Sequence, residues 1–247
     1  MISENEILIL IPAFNEQERV GVVIAGVRRN LRESEILVVD DGSTDNTAQA
    51  GGMERVRVVR HPFNMGVGTA LQTGYKYAVK QGFKYVIQLD ADGQHPPEFL
   101  PKFLSKLQET EADLIVGSRF LSEERVNLPF ARRVGNRIFA RLLSLLIRER
   151  LTDPTSGYRA LKSTVLQFCV QDQYAFDYPD ADFLLTLHRS GFRIEEIPVR
   201  VDSRMGGTSQ HAGLAPIFYT IKMVISLFVI MMRKKKIEQI QKGQSNE

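Results

Sequence analysis

Short apolar runs of strand length alternate with stretches of helical periodicity through the first half of this 247-residue chain. Ile7–Ile11 is the first run, and Val20, Val23, Ile24, Val27 and Leu31 then fall on one helical face. Ile36–Val39, Val56–Arg60, Tyr85–Leu89 and Leu114–Val116 read as further strands, with helices over Gly66–Lys80 and Glu98–Leu107 between them. A strand, a helix and a second strand in succession imply a right-handed crossover. Repeated, they imply an α/β fold with a mostly parallel sheet covered on both faces. With 43% hydrophobic residues the chain can bury one sizeable core.

The same pattern predicts where a ligand binds. Open α/β sheets take ligands beyond the carboxyl ends of their strands. "PAFNE", "DDGS" and "DADGQ" each follow a strand directly, so the three polar loops should share one crevice. After residue 120 the pattern changes. Residues 128–151 read as one helix with Arg132, Arg133, Arg137, Arg141, Arg148 and Arg150 on its polar side. "DPTSGYRAL" reads as a loop that opens another helix, Tyr178–Ser190 as a helix and Phe192–Val201 as a strand. A glycine-rich polar loop, "DSRMGGTSQHAG", leads into a last apolar segment with a basic end. The expected division is a main domain over 1–213 and a membrane-associating helix with a polar tail over 214–247.

Composition removes several classes of function. The net charge of only +3 says little about partners, no nucleic-acid partner is expected, and the single cysteine, Cys169, allows no internal disulfide. No Cys/His spacing suggests zinc, and no Ser/His/Asp or Cys/His set suggests a protein nucleophile. The amino terminus has no basic region before its short apolar run, so it reads as the first strand rather than a signal peptide.

Asp90 and Asp92 are two residues apart, which places them on one side of an extended chain. Adjacent carboxylates oppose each other's ionisation, and a divalent cation removes that conflict. Hard oxygen donors suit Mg2+ or Mn2+, which bind through few protein ligands plus substrate phosphates. Gln94, two residues on, offers a neutral oxygen. An acidic capping turn before Pro96 and Pro97 accounts for the same residues, and His95 suits a turn as well as it suits catalysis.

Seven segments in order, "IPAFNE", "VVDDGSTDNT", "NMGVGTALQTG", "LDADGQHPPE", "VGSRF", "DPTSGYRAL" and "SRMGGTSQ", resemble the inverting family-two glycosyltransferases. Within them the resemblance is to the dolichol-phosphate mannose synthase branch and its bacterial polyprenyl-phosphate sugar synthases. It implies a GT-A (Rossmann-like) fold over roughly residues 7–210. It implies nucleotide-sugar contacts at Pro12, Phe14, Glu16, Val39, Asp41, Asp90, Ala91 and Asp92. A Mg2+ or Mn2+ site is implied at Asp90, Asp92 and Gln94, with Asp92, Arg119 and Arg204 as catalytic positions. Phe14 also suits the core, and Asp40 a structural or capping role. The implied partners are a nucleotide-sugar donor, a polyprenyl-phosphate acceptor and the membrane surface, with a small membrane protein as a further candidate. A phosphate acceptor is already a nucleophile at neutral pH, so no strong general base is needed. Direct attack inverts the anomeric centre.

The chain departs from that branch where Gln210 replaces the usual lysine after Gly207-Thr208-Ser209. The acids Asp177, Asp180 and Asp182 suit either donor-sugar hydroxyls or a helix start. Together they tilt the expected donor toward UDP-glucose or UDP-N-acetylglucosamine, with GDP-mannose the other candidate. Ile217–Met232 would reach only ~24 Å as a helix, short of a ~30 Å hydrocarbon core. With "RKKK" directly after it, it reads as an amphipathic interfacial helix on the cytoplasmic face of the membrane, a tilted span being the other option. The arginine-bearing helix over 128–151 is a second candidate for membrane contact.

Overall fold

The computed structural model describes residues 2–52, 55–122, 130–171 and 181–202, together with Ile225, Leu227, Val229, Ile230 and Met232. The expected alternation is present. β1 (Ile7–Ala13), α1 (Val20–Asn30), β2 (Glu35–Asp40), α2 (Thr47–Gly51) and β3 (Val56–Arg60) come first. They are followed by α3 (Val67–Gln81), β4 (Tyr85–Gln88), α4 (Leu100–Glu109) and β5 (Leu114–Ser118). After these lie α5 (Phe130–Ile147), β6 (Arg159–Lys162), α6 (Ser163–Cys169), α7 (Ala181–Arg189) and β7 (Ile194–Pro198).

The strands form one sheet in the order β3-β2-β1-β4-β6-β5-β7. β1 pairs in parallel with both β2 and β4, and β5 in parallel with β7. β6 runs antiparallel to its neighbours β4 and β5. It lies where a loop leading into a helix was expected. "RALK" is too short to show a period, and its strand character comes from two neighbours that supply hydrogen bonds on both sides. The helix that follows begins at Ser163, after the strand.

Alternation along the buried strands divides the core into two layers. Leu8, Leu10, Leu37, Val39, Val86, Leu114 and Val116 face a cluster completed by α3, α5, α6 and α7. Ile7, Ile9, Ile11, Ile36, Val38, Ile87 and Ile115 face the other layer, with α1 and α4. Leu227 is buried in the first cluster and Ile230 packs against it, so these two residues beyond 213 belong to the main core. Among the described residues no helix is long and apolar enough to cross a membrane, so a spanning C-terminal helix finds no support. The remainder of the expected membrane helix lies outside the described residues.

Glycines close the gaps between layers and loops. Gly42 has φ +72°, and a Cβ there would lie 2.3 Å from the carbonyl carbon of Phe63. Gly82 has φ +78° and terminates α3, donating its N–H to Ala78 and Val79, with open space around it. Gly82→Ala should therefore cost ~1–2 kcal/mol, the left-handed penalty alone. Gly42→Ala adds a backbone clash to that penalty and should cost the larger amount, as read from urea unfolding midpoints.

Candidate active site

Parallel pairing brings the ends of β1, β2 and β4 to one edge, as the sequence pattern predicts. The loops there are tied to each other. Asn15, with φ +55°, donates its N–H to Ser43 Oγ (2.9 Å) and accepts the N–H of Thr44 on Oδ1 (2.9 Å). Asparagine tolerates this left-handed conformation, and its short amide reaches the second loop. Glu16 donates its N–H to Thr47 Oγ1 (2.8 Å), and its buried carboxylate pairs with Arg19.

Four aspartates meet at this edge, and burial divides them. Asp40 is fully buried; Oδ1 accepts the N–H of Ser43 (3.0 Å), and Oδ2 lies 3.2 Å from Arg60 Nε. Asp41 is buried too. Its Oδ1 meets His61 Nδ1 (2.7 Å) and accepts the N–H of Met65 (2.9 Å), while Oδ2 accepts that of Gly66 (2.8 Å). Asp41 thus holds the 63–66 loop over the sheet edge, a function the resemblance alone did not suggest. Asp90 and Asp92 remain partly exposed.

The turn carrying these two is braced by hydrogen bonds and a ring contact. Asp92 Oδ1 accepts the N–H of Gln94 (2.9 Å), and Gly93 has φ +79°. His95 is buried; its Nδ1 accepts the N–H of Asp90 (3.1 Å), and its ring stacks on Tyr158 at 4.9 Å. Burial pushes the Tyr158 phenol far above its ordinary pKa, so it stays a donor, to the carbonyl of Pro96 (3.1 Å). His95 is therefore part of the turn's support. The donors at Asp90, Asp92 and Gln94 are oxygens, and no group of three or more His, Cys, Asp or Glu that could hold a metal occurs among the described residues. That set would fit a hard divalent cation that keeps coordination positions open for further oxygen donors.

The other predicted positions divide as follows. Pro12 and Phe14 are half-buried at the edge. The side chains of Val39 and Ala91 lie in the core at 0% and 2% exposure, leaving the main chain for any ligand contact. Arg119 is bound to Asp153 in a two-pronged pair, Nε to Oδ2 at 2.6 Å and Nη2 to Oδ1 at 2.7 Å, with Nη2 also donating to Thr155 (2.9 Å). Asp153 is completely buried. The sequence did not mark Asp153 as Arg119's partner, because 34 residues separate them. Arg204, Gln210, Asp177 and Asp180 lie outside the described residues. Asp182 sits in the first turn of α7, where its charge suits the helix dipole, and accepts the N–H of Phe183 (2.8 Å).

Residues 8–168 match the family described as Glycosyl transferase family 2. The chain is 31% identical over 218 residues to an undecaprenyl-phosphate mannosyltransferase of Micrococcus luteus, covering 84% of this chain and 88% of that one. It is 28% identical over 246 residues to a UDP-N-acetylglucosamine–dolichyl-phosphate N-acetylglucosaminyltransferase of Methanococcus voltae, covering 90% and 97%. Its fold resembles the glucosyl-3-phosphoglycerate synthase of Mycobacterium tuberculosis, crystallised with Mn2+, UDP and phosphoglyceric acid. That match has a TM-score of 0.69 at 21% identity, over 93% of this chain and 80% of the other. The architecture is thus GT-A-like, an α/β sheet that is mostly parallel and flanked by helices. The chain belongs to glycosyl transferase family 2 and is a glycosyltransferase.

Because Asp153 is fully buried, Asp153→Asn would leave the Arg119 guanidinium without its countercharge. The expected cost is ~3–5 kcal/mol, measured by chemical unfolding.

Proposed function

We propose that this enzyme transfers a sugar from a nucleotide-sugar to a polyprenyl phosphate at the membrane surface. The observation that carries the reading is the pair Asp90 and Asp92, the partly exposed carboxylates at an edge shared by three loops. Two relatives that span most of this chain carry names with undecaprenyl or dolichyl phosphate as acceptor. Pro12, Phe14 and the 41–43 loop would hold the nucleotide on the β1–β2 side of the edge. Asp90, Asp92 and Gln94 would hold Mg2+ or Mn2+, which when bound supplies positive charge to the departing nucleoside diphosphate. Arg119 and Arg204 are assigned to phosphate oxygens. Arg119 would bring that charge while keeping its pair with Asp153, which fixes the guanidinium plane.

The chemistry asks little more of the protein. The acceptor phosphate oxygen attacks the anomeric carbon as the bond to the donor diphosphate breaks, and the configuration inverts. The two relatives' names differ in sugar, mannose in one and N-acetylglucosamine in the other. We assign a UDP-linked glucose or N-acetylglucosamine, on the neutral Gln210 and the acids near α7, with GDP-mannose the alternative donor.

Surface chemistry supports peripheral attachment to the membrane. Ile225, Val229 and Met232 are 56%, 44% and 71% exposed, at helical spacings of four and three. On α5, Ile138 and Leu145 are exposed beside the exposed Arg137 and Arg141. Apolar side chains flanked by cations suit an anionic interface.

Purified protein with Mn2+, polyprenyl phosphate and a panel of labelled nucleotide sugars should give lipid-linked sugar from one donor, and chelation should abolish it. Asp92→Asn should lower kcat by about 10²–10³-fold. Undiminished transfer in that variant overturns the metal-site assignment, and labelling of a soluble sugar acceptor alone overturns the lipid acceptor. The triple variant Ile225→Glu, Val229→Glu, Met232→Glu keeps Leu227 and Ile230 in the core. It should lose co-sedimentation with anionic vesicles; unchanged co-sedimentation removes that face as the membrane contact.

A further inference from the structure

The loop from Thr152 to Tyr158 crosses the sheet edge like a strap, and its two ends are held very differently. At the far end, Gly157 lies against the Asp90–Asp92 turn. A Cβ on Gly157 would be 3.4 Å from Asp90 Oδ1, and the Gly157 carbonyl accepts from Gln88 Nε2 (2.9 Å). Gln88 is itself gripped by the Tyr75 hydroxyl of α3. Tyr158 stacks on His95 and packs at a tilt against Phe103. This end is fixed by neutral groups and ring packing.

One carboxylate stands at the centre of the contacts at the near end. Glu196, in β7, accepts four hydrogen bonds from two consecutive residues. Oε1 takes the N–H groups of Thr152 (3.0 Å) and Asp153 (2.8 Å), and Oε2 takes the N–H (2.9 Å) and hydroxyl (2.8 Å) of Thr152. The Thr152 hydroxyl gives its proton to Glu196, so Ser118 Oγ, 2.6 Å away, donates to Thr152. Asn136 of α5 takes the other side, donating to the Thr152 carbonyl (3.1 Å) and accepting from Thr155 (3.1 Å). β7 is parallel to β5 with Val116 opposite Glu196, so Glu196 stands just before the end of the strand that delivers Ser118 and Arg119. Burial raises the pKa of Glu196, while these bonds act to lower it. The carboxylate is directed at the backbone of Thr152 and Asp153, apart from the β5–β7 pairing.

We propose that Glu196 is a positioning residue of the transfer site. It sets the near end of the strap, and through it the orientation of Asp153 under Arg119. It touches neither donor nor acceptor. The inference rests on the reading of the Asp90–Asp92 edge as the site of sugar transfer. Its predicted signature is a turnover defect with donor KM little changed, because Arg119 meets charge that develops on the departing diphosphate, while Pro12, Phe14 and the 41–43 loop hold the nucleotide apart from the strap.

Glu196→Gln in the full chain tests this. The amide keeps the shape but turns an NH2 toward backbone N–H donors. Two readouts are made. First, phenylglyoxal labelling of Arg119, mapped by mass spectrometry against the exposed Arg29, should accelerate by about tenfold or more as the Asp153 pair loosens. Second, kcat for sugar transfer should fall ~10–100-fold, the range for a lost supporting hydrogen-bond partner, with donor KM within about twofold. Thr152→Val removes the hydroxyl link and leaves Glu196 in place. It should move both readouts in the same direction by less, and it decides the matter by the same criteria if the Gln variant does not fold. Unchanged Arg119 labelling overturns the proposal, as does faster labelling with unchanged kcat or a donor KM that rises in step with the kcat loss. Wild-type protein that transfers no sugar from any donor refutes the proposed function, and the labelling ratio then still decides whether Glu196 holds Arg119 in place.

Discussion

Parallel pairing of β1 with β2 on one side and β4 on the other is the constraint on which the site depends. A parallel pair delivers both of its strand ends to the same edge, so three consecutive crossovers place three loops side by side. Everything polar at the site follows from that edge. Asn15 can reach Ser43 and Thr44 because Ala13 and Asp40 are register partners. The Asp90–Asp92 turn stands beside them because β4 hydrogen-bonds to β1 over Ile7–Leu10.

Burial then assigns different work to residues of the same type. Four aspartates share the edge. Asp40 and Asp41 are buried and answered by Arg60, His61 and backbone N–H groups, and they fasten loops. Asp90 and Asp92 keep solvent access and the capacity to take a cation. The same rule separates the arginines: Arg119 lies against a fully buried carboxylate, whereas Arg137 and Arg141 of α5 face solvent. An ion pair at a buried carboxylate is costly to break, which makes Arg119 a fixed feature of the site rather than an adjustable surface charge.

Legibility of the sequence followed the range of the interactions. Strands in the first half were readable because strand length and helical period are local properties. The placement of "PAFNE", "DDGS" and "DADGQ" at one edge was readable because crossover handedness leaves few topologies. β6 was not, since four residues without a clear period become a strand only between two waiting neighbours. The partnership of Arg119 with Asp153, and the grip of Glu196 on Thr152 and Asp153, join segments 34 and 43–44 residues apart. Nothing local marks such pairs. Val39 shows the converse case, a residue placed by resemblance at the nucleotide whose side chain alternation sends into the core.

The sequence by itself determined the α/β class, the parallel first half, the edge at which the polar loops meet and the two carboxylates suited to a cation, because each rests on short-range periodicity or residue chemistry. Tertiary structure alone decided which charged groups are buried and with what partner. It set the antiparallel strand in the middle of the sheet, the role of His95 as a support for the Asp90–Asp92 turn, and the strap between Glu196 and Asp90. Burial and pairing are properties of the packed whole: a carboxylate has the same chemistry anywhere in the chain, and its use is settled by what the fold brings within hydrogen-bonding distance of it.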